Sequence, residues 1–287
     1  MDFSSIKDFL KEDLDKVNKL MGSSLSTDIE LLDKTNRAIL SHNGKQVRPV
    51  LTLLVARACS GGFVTDDTIK YAAAVELLHN ATLLHDDVAD DSPVRRGAPT
   101  VMSILGGRAS VLLGDYWLVK GMENILASRN SSDKVIRIFA STLTDLAEGE
   151  LLQLQKAETG DTLEKDYYRI IYDKTASLFV ASAAAGAISV SATEEKMSAA
   201  RTYAKCLGVA FQIRDDILDV TSSLQELGKP VFSDEKNNKT TYVTLYGMEK
   251  AKADVQSMSD EALDIIKSVG KNEFLEEIVL NLIHRNK

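Results

Sequence analysis

No proline occurs between Pro99 and Pro230, and this long stretch constrains the fold more than any other feature. Proline breaks helices because it lacks a backbone N–H and clashes with the preceding turn, so its absence favours long helices. Apolar residues recur at spacings of three and four, as amphipathic helices require, and no alternating pattern between tight turns predicts a sheet. The pattern predicts helices over residues 6–20, 71–90, 135–156, 199–220 and 261–285.

Composition narrows the class of protein further. The 287 residues are 44% hydrophobic with a net charge of −8, which suits a packed core rather than a disordered chain. An isoelectric point near 5.2 argues against a nucleic-acid partner, and two distant cysteines argue against a disulfide framework or a structural zinc site. The charged first residues do not resemble a signal peptide, and no apolar run is long enough to span a membrane. We therefore expect one all-α domain over residues 1–287 in the cytoplasm.

Two acidic pentapeptides carry the strongest chemical signal. Asp86, Asp87 and Asp90 end one apolar helix, and Asp215, Asp216 and Asp219 repeat the spacing near the end of another. Carboxylates four residues apart share a helix face and repel each other unless a cation lies between them. One such motif is also typical of a solvated helix end, but two copies after core-like helices favour a metal site. Mg²⁺ fits because it takes carboxylate oxygens and shares its other ligands with phosphates.

Basic residues near these motifs indicate an anionic substrate. Lys45 and Arg48 precede an apolar helix, Arg95 and Arg96 follow the first acidic motif, and His79 lies two turns before Asp86. Arginine suits bidentate phosphate contacts and lysine supplies a point charge. A buried histidine is often a core residue, but the position of His79 on the acidic face favours a functional role. His85 is expected to be structural. Since no glycine-rich nucleotide loop occurs, the pattern favours a diphosphate that carries a hydrocarbon tail.

At this point the chain resembles a known family, the trans-prenyltransferases or trans-isoprenyl diphosphate synthases. The resemblance rests on an ordered set of landmarks that spans almost the whole length. They are Gly44-Lys45-x-x-Arg48-Pro49, His79, Asp86-Asp87-x-x-Asp90, Arg95-Arg96-Gly97, Gly114-Asp115, Lys174-Thr175, Phe211-Gln212-x-x-Asp215-Asp216-x-x-Asp219, Gly228-Lys229 and Lys239-x-Thr241.

The resemblance implies a fold, a reaction and residue roles. The fold is the isoprenoid-synthase helical bundle around a central cavity, assembled as a homodimer. The reaction is condensation of isopentenyl diphosphate with an allylic diphosphate, assisted by about three Mg²⁺ ions per active site. Asp86 and Asp90 would hold two ions and Asp215 a third, with Asp87, Asp216 and Asp219 assisting. The allylic diphosphate would contact Arg95, Lys174, Thr175, Gln212, Lys229 and Lys239, and isopentenyl diphosphate would contact Lys45, Arg48, His79 and Arg96.

The length of the prenyl product is expected to depend on the helix before the first acidic motif. In the resembling family, short-product enzymes often place an aromatic residue four or five positions before the first aspartate, where this chain has Thr82 and Ala81. A tail running back past Thr82, Ala81, Leu78 and Ala74 would meet small residues first, so we expect a product of C25 or longer. Such a product implies loose membrane association. The segment 233–244 and the short chain favour the alternative, farnesyl or geranylgeranyl diphosphate synthase at C15 to C20. Trp117 is expected to be a core residue or the cavity floor.

Three other functions remain open at this point. A terpene cyclase uses the same ionisation, but it typically has one such acidic motif and lacks a second basic site. A non-catalytic subunit of a heteromeric synthase usually loses one acidic motif. A generic divalent-cation-binding protein would not explain the ordered basic residues. One position departs from the family pattern, since Phe232 stands where the family usually has glycine. The basic tail 285–287 resembles family tails that cover the site, and a frayed terminus is the alternative.

Overall fold

The structure is a computed structural model that describes residues 3–42, 44–95, 97–129, 132–221, 240–270 and 272–283. Helices dominate these ranges, which confirms the predicted all-α fold. One short antiparallel hairpin interrupts them, in which β1 (Val94–Arg95) pairs with β2 (Ala98–Pro99). A π-helical turn, Tyr172–Ala176, joins two α-helices.

The stretch without proline is helical over most of its described length. Two helices of 28 residues each, Ser132–Thr159 and Glu194–Thr221, lie within it. In chain order the α-helices are α1 Phe3–Phe9, α2 Lys11–Ser24, α3 Glu30–Ser41, α4 Val47–Ser60, α5 Asp66–Ala89, α6 Val101–Leu105, α7 Gly107–Leu126, α8 Ser132–Thr159, α9 Glu164–Ile171, α10 Ser177–Ser189, α11 Glu194–Thr221, α12 Tyr242–Tyr246, α13 Met248–Val269 and α14 Glu273–Ile283.

Helix α10 forms the centre of the core. It is buried along nearly its whole length and packs against α4, α5, α8 and α11. Its Ala, Ser and Gly residues are small enough to let the neighbouring backbones approach closely. The α4 contact is fixed by a polar bond as well, because Thr52 Oγ1 donates to the Ser182 carbonyl at 3.1 Å.

Helix α5 carries the first acidic motif to the rim of this core. It begins at a capping box, in which the Thr65 side chain accepts from the Thr68 N–H at 3.1 Å while Thr68 Oγ1 accepts from the Thr65 N–H at 3.0 Å. Helix α4 precedes α5 through the short connection 61–65 and packs against it, so the two helices form an antiparallel pair. The start of α4 and the acidic end of α5 therefore lie at the same end of the molecule.

Two helix predictions are wrong at their boundaries. The predicted helix 261–285 is divided, because α13 ends at Val269 and α14 begins at Glu273. Gly270 has a φ of +146° and packs against the Ala58 carbonyl, a position without room for a side chain. The predicted helix 6–20 is also divided, between α1 and α2 at Leu10. Among the helices of the described ranges, none is long and apolar enough to cross a membrane.

Candidate active site

The first acidic motif is closely associated with the hairpin that follows it. Asp87 is buried, and its Oδ1 accepts a hydrogen bond from Arg95 Nε at 2.6 Å. Asp90 is exposed and closes the helix, with its N–H donating to the Asp86 carbonyl at 2.8 Å. Asp86 lies between these two in exposure. The predicted stacking of Asp86 and Asp90 on one helical face follows from this continued helical hydrogen bonding.

Asp86 is the electrostatic centre of the site. The pKa of Asp86 is raised from the ordinary value of 3.8 to about 6: burial raises it most, the charges of Glu150 and Asp90 raise it too, and Lys174 and Arg95 partly oppose them. Glu150 on α8 forms an ion pair with Lys174, whose Nζ also donates to Gln153 Oε1 at 2.8 Å. The structure thus brings Asp86, Arg95 and Lys174 together, although they are far apart in the sequence.

The π-helical turn positions Lys174 and Thr175. One extra residue per turn is costly in a helix and occurs often at functional sites. Two glycines make room for it: a Cβ on Gly149 of α8 would lie 2.7 Å from Asp173 Cβ, and one on Gly208 of α11 would lie 2.6 Å from Ala176 Cα. Sequence reasoning missed both glycines, since helical spacing alone gives no sign of a close approach.

The second acidic motif is linked to the same turn. Asp216 and Asp219 are buried, and Asp215 is partly exposed near the end of α11. Gln212, one turn before Asp216, donates to Asp216 Oδ1 at 3.2 Å and accepts from Thr175 Oγ1 at 3.0 Å. Because Thr175 is adjacent to Lys174, the π-turn connects the two acidic motifs.

Two tyrosines that sequence reasoning missed also bond to Asp216. The Tyr167 hydroxyl on α9 donates to Asp216 Oδ2 at 2.6 Å, and the Tyr242 N–H at the start of α12 donates to the same oxygen at 2.7 Å. Tyrosine spacing alone could not have revealed this contact, because the three residues lie on three different helices.

The predicted basic site for isopentenyl diphosphate lies at the start of α4. Gln46 adopts a left-handed conformation with φ +54°, and its side chain donates to Asn18 Oδ1 at 2.8 Å. This turn leaves Lys45 exposed and directs Arg48 over the Phe179 ring, with 4.9 Å from Cζ to the ring centroid. His79 is partly buried on α5, the helix that packs against α4.

His85 has a structural environment, as predicted. Its ring packs on Gly114 of α7, where a side chain would clash, and its Nε2 lies 3.2 Å from Asp115 Oδ1. The Gly114-Asp115 landmark therefore holds the end of α5 against α7.

The predicted chain-length residues form part of the packed core in this structure. Ala81 and Leu78 are fully buried, Leu78 packs on Gly121 of α7, and the Thr82 hydroxyl donates to the His79 carbonyl at 2.8 Å. Trp117 is fully buried and donates to Asn36 Oδ1 at 2.8 Å, a core position.

A largely apolar groove of about 500 Å³ borders the face of α5 next to the one that carries the predicted chain-length residues. It lies between α3, α5 and α6 and reaches the Asp87–Arg95 pair. The α5 residues that line it are Asn80, Leu83, Leu84 and Asp87 rather than the predicted chain-length residues. Arg96, Lys229, Phe232, Lys239 and the tail 285–287 lie outside the described residues.

The donor set fits Mg²⁺ in one specific way. Both motifs offer hard carboxylate oxygens, and burial followed by the charge of Glu150 raises the pKa of Asp86, so a cation would stabilise its charged form. Within the described ranges, no three carboxylates, imidazoles or thiols converge closely enough to hold an ion alone. Mg²⁺ commonly divides its ligands between protein carboxylates and a substrate phosphate.

Comparison with known proteins identifies the family. The profile described as Polyprenyl synthetase matches residues 29–279. The chain belongs to this family. Membership confirms that the protein is a prenyl-transferring enzyme, as the motifs predict, and removes the generic cation-binding alternative.

Individual members of the polyprenyl synthetase family match over nearly the whole chain. Octaprenyl diphosphate synthase from Haemophilus influenzae is 36% identical over 97% of this chain and 83% of its own. A short chain isoprenyl diphosphate synthase from Methanothermobacter thermautotrophicus is 31% identical over 98% and 91%. The crystal structure of heptaprenyl diphosphate synthase from Staphylococcus aureus superposes with a TM-score of 0.90 at 27% identity, covering 97% of this chain and 99% of that one.

Proposed function

We propose that the protein condenses isopentenyl diphosphate with an allylic diphosphate and repeats the addition to make a product of C25 or longer. The observation that carries the proposal is the linkage of both acidic motifs through the π-turn. Asp86 lies within electrostatic reach of Lys174, and Thr175 bonds to Gln212 of the second motif. A diphosphate placed there meets carboxylates for metal ions on two sides and cations between them.

The allylic diphosphate contacts the cations that now neutralise nearby carboxylates. Arg95 bonds to Asp87, and Lys174 pairs with Glu150. Arg95 and Lys174 already form ion pairs with acidic groups of the site. They become available to phosphate oxygens once metal ions bind the carboxylates. Thr175 and Gln212 add hydrogen bonds, and we assign Lys229 and Lys239 to the same substrate from the family pattern.

Isopentenyl diphosphate binds at the start of α4. Lys45 lies two residues before α4 and Arg48 is the second residue of α4, while His79 lies on the neighbouring helix α5. We assign Arg96 to this site as well. The separation of Arg48 from Lys174, on different helices, is consistent with two distinct diphosphate sites.

Asp86, Asp90 and Asp215 would hold Mg²⁺, with Asp87, Asp216 and Asp219 assisting. About three bound ions would supply positive charge that stabilises a departing diphosphate. The protein's own residues orient this group: Lys174 and Arg95 neutralise its oxygens, and the buried helices behind Asp86 keep water from the allylic cation. The allylic C–O bond breaks, and the electrons of the isopentenyl double bond form the new C–C bond to the resulting allylic cation. The proton lost from the condensed product passes to the departing diphosphate.

Two observations support the proposed length of the product: the small residues before Asp86 and the products named for two relatives. Ala81 and Thr82 stand where short-product members of the family often carry aromatic residues, and the Haemophilus influenzae relative is an octaprenyl diphosphate synthase. The relative from Methanothermobacter thermautotrophicus supports the C15 to C20 alternative. We favour the longer product, because the turn of α5 directly before Asp86 has no aromatic side chain that would block the growing tail.

We also propose that the protein is a homodimer whose interface includes one face of α7. Leu112, Val119 and Leu126 recur at intervals of seven residues, and their side chains are 65%, 52% and 63% exposed. Residues at this spacing share a helix face, and a contiguous exposed apolar face marks an interface. Leu151 and Leu154 on α8 are exposed too.

The dimer is tested by one charge at the centre of this face. Val119→Glu should convert the dimer to a monomer in light scattering after gel filtration, because each subunit would bury an unpaired carboxylate in the apolar interface. Phe63→Glu is the control, since Phe63 is 57% exposed but lies in the connection between α4 and α5. A Val119→Glu protein that remains dimeric contradicts this interface.

The location follows from the substrates. Both diphosphates are charged and water-soluble, while a product of C25 or longer partitions into lipid. We propose that the enzyme works in the cytoplasm and associates loosely with a membrane when it releases its product.

Release of inorganic diphosphate tests the reaction class. With Mg²⁺ and an allylic diphosphate, a condensing synthase should release diphosphate only after isopentenyl diphosphate is added. A terpene cyclase would release it from the allylic substrate alone, and a non-catalytic subunit would release none in either case. Either of these results would contradict the proposal.

A further inference from the structure

Asp216 is bonded in a way that a simple metal ligand would not require. It is 4% exposed, and its two carboxylate oxygens accept three hydrogen bonds from the protein. Tyr167 and the Tyr242 N–H share Oδ2, and Gln212 donates to Oδ1. A buried carboxylate that accepts several donors has little freedom to rotate.

These bonds join three separate segments of the chain. Tyr167 lies on α9, Asp216 on α11, and Tyr242 is the first residue of α12. The Tyr242 N–H is one of the first four N–H groups of its helix, which have no acceptor within the helix. Asp216 supplies the acceptor for it. Lys239, assigned above to the allylic diphosphate, is three residues before Tyr242. Asp216 therefore fixes the start of α12, which follows Lys239 closely in the sequence.

The same carboxylate fixes the orientation of Gln212. The Gln212 amide donates to Asp216, so its carbonyl oxygen points away and accepts from Thr175 at 3.0 Å. A continuous chain of hydrogen bonds thus runs from Tyr167 through Asp216 and Gln212 to Thr175 in the π-turn. Every link is within normal hydrogen-bond length.

We propose that Tyr167 is a positioning residue for the allylic diphosphate site, and that it acts by locking Asp216 as an anchor. The locked carboxylate holds both Gln212 and the start of α12 in their binding positions. This inference rests on the proposed function and adds a role that the acidic motif alone does not predict. Tyr167 itself does not contact substrate in this account.

Tyr167→Phe removes one donor and keeps the ring, which packs edge-on against the Tyr242 ring with centroids 5.5 Å apart. Tyr168→Phe is the matched control. Its hydroxyl bonds to the Tyr242 hydroxyl at 3.0 Å and not to Asp216. Both variants lose one buried or partly buried hydroxyl from α9, so a general loss of stability would affect both.

Steady-state kinetics separate positioning from a structural role. Tyr167→Phe should raise the KM for the allylic diphosphate about tenfold, equivalent to about 1.4 kcal/mol, and leave the KM for isopentenyl diphosphate within about twofold. Tyr168→Phe should leave both KM values within about twofold. Equal rises for both substrates in Tyr167→Phe, or the same allylic effect in the control, would overturn the proposal.

Hydrogen exchange tests the anchor without any turnover. In the metal-free parent protein, the Tyr242 amide should exchange slowly although it begins a helix, and Tyr167→Phe should speed its exchange about tenfold while Tyr168→Phe does not. Rapid exchange of this amide in the parent protein would overturn the anchor even if the kinetics agreed. A parent protein without condensing activity would refute the proposed function instead, and the exchange result would still decide the anchor.

Discussion

The charged form of Asp86 lowers the free energy of unfolding of the metal-free protein by a measurable amount. The unfolded chain releases its proton near pH 3.8, but the folded chain holds it until about pH 6 because burial and Glu150 disfavour the charged form. The contribution of Asp86 to stability is therefore complete below pH 3.8, declines as pH rises, and is lost above about pH 6. The shift corresponds to about 3 kcal/mol, which is a ceiling because Asp86 is partly exposed.

Asp86→Asn removes this titration. In EDTA at pH 8 the variant should unfold at a higher urea concentration than the parent protein, with a gain of up to about 3 kcal/mol, and at pH 5 the gain should be about half as large. Adding Mg²⁺ and inorganic diphosphate should stabilise the parent protein and leave the variant unchanged, because ligands stabilise only the state that binds them.

Glu158→Gln is the control for a lost negative charge, since Glu158 is exposed near the end of α8. It should change stability by no more than about 0.5 kcal/mol at either pH. The reasoning fails if Asp86→Asn is no more stable than the parent protein at pH 8, or if the gain is the same at pH 5 as at pH 8.

Three further tests address the packing of the π-turn, the path of the growing chain and the two diphosphate sites. Gly208→Ala should lower stability by about 1 to 3 kcal/mol in urea unfolding, because its Cβ meets the backbone of the π-turn at 2.6 Å; an unchanged midpoint refutes that packing. Ala81→Phe should shorten the product by mass spectrometry, while Leu83→Phe, which fills the groove beside α3, should not; the reverse result would place the tail in that groove. Arg48→Ala should chiefly raise the KM for isopentenyl diphosphate and Lys174→Ala that for the allylic substrate, and equal effects would refute two separate sites.

Much of the fold was predictable because its signals are local. The absence of proline and the apolar spacing correctly indicated α5, α8 and α11. The divided helices were missed for opposite reasons. Gly270 is a plain sign of a break that the apolar spacing on both sides concealed, whereas the break at Leu10 has no sequence signal at all.

The site was predictable where a motif places its residues on one helix. Asp86 and Asp90, or Asp215 and Asp216, follow from helical spacing alone. The contacts that connect these motifs were not predictable, because they join residues far apart in the chain. Tyr167 reaches Asp216 from another helix, and the π-turn that carries Lys174 depends on glycines in α8 and α11.

The product profile tests the central claim most directly. Purified protein with Mg²⁺, a C15 allylic diphosphate and excess isopentenyl diphosphate should yield a series of linear prenyl diphosphates that ends at C25 or longer, and EDTA should abolish the series. A profile that stops at C15 to C20, or products that are cyclic hydrocarbons, would contradict the account.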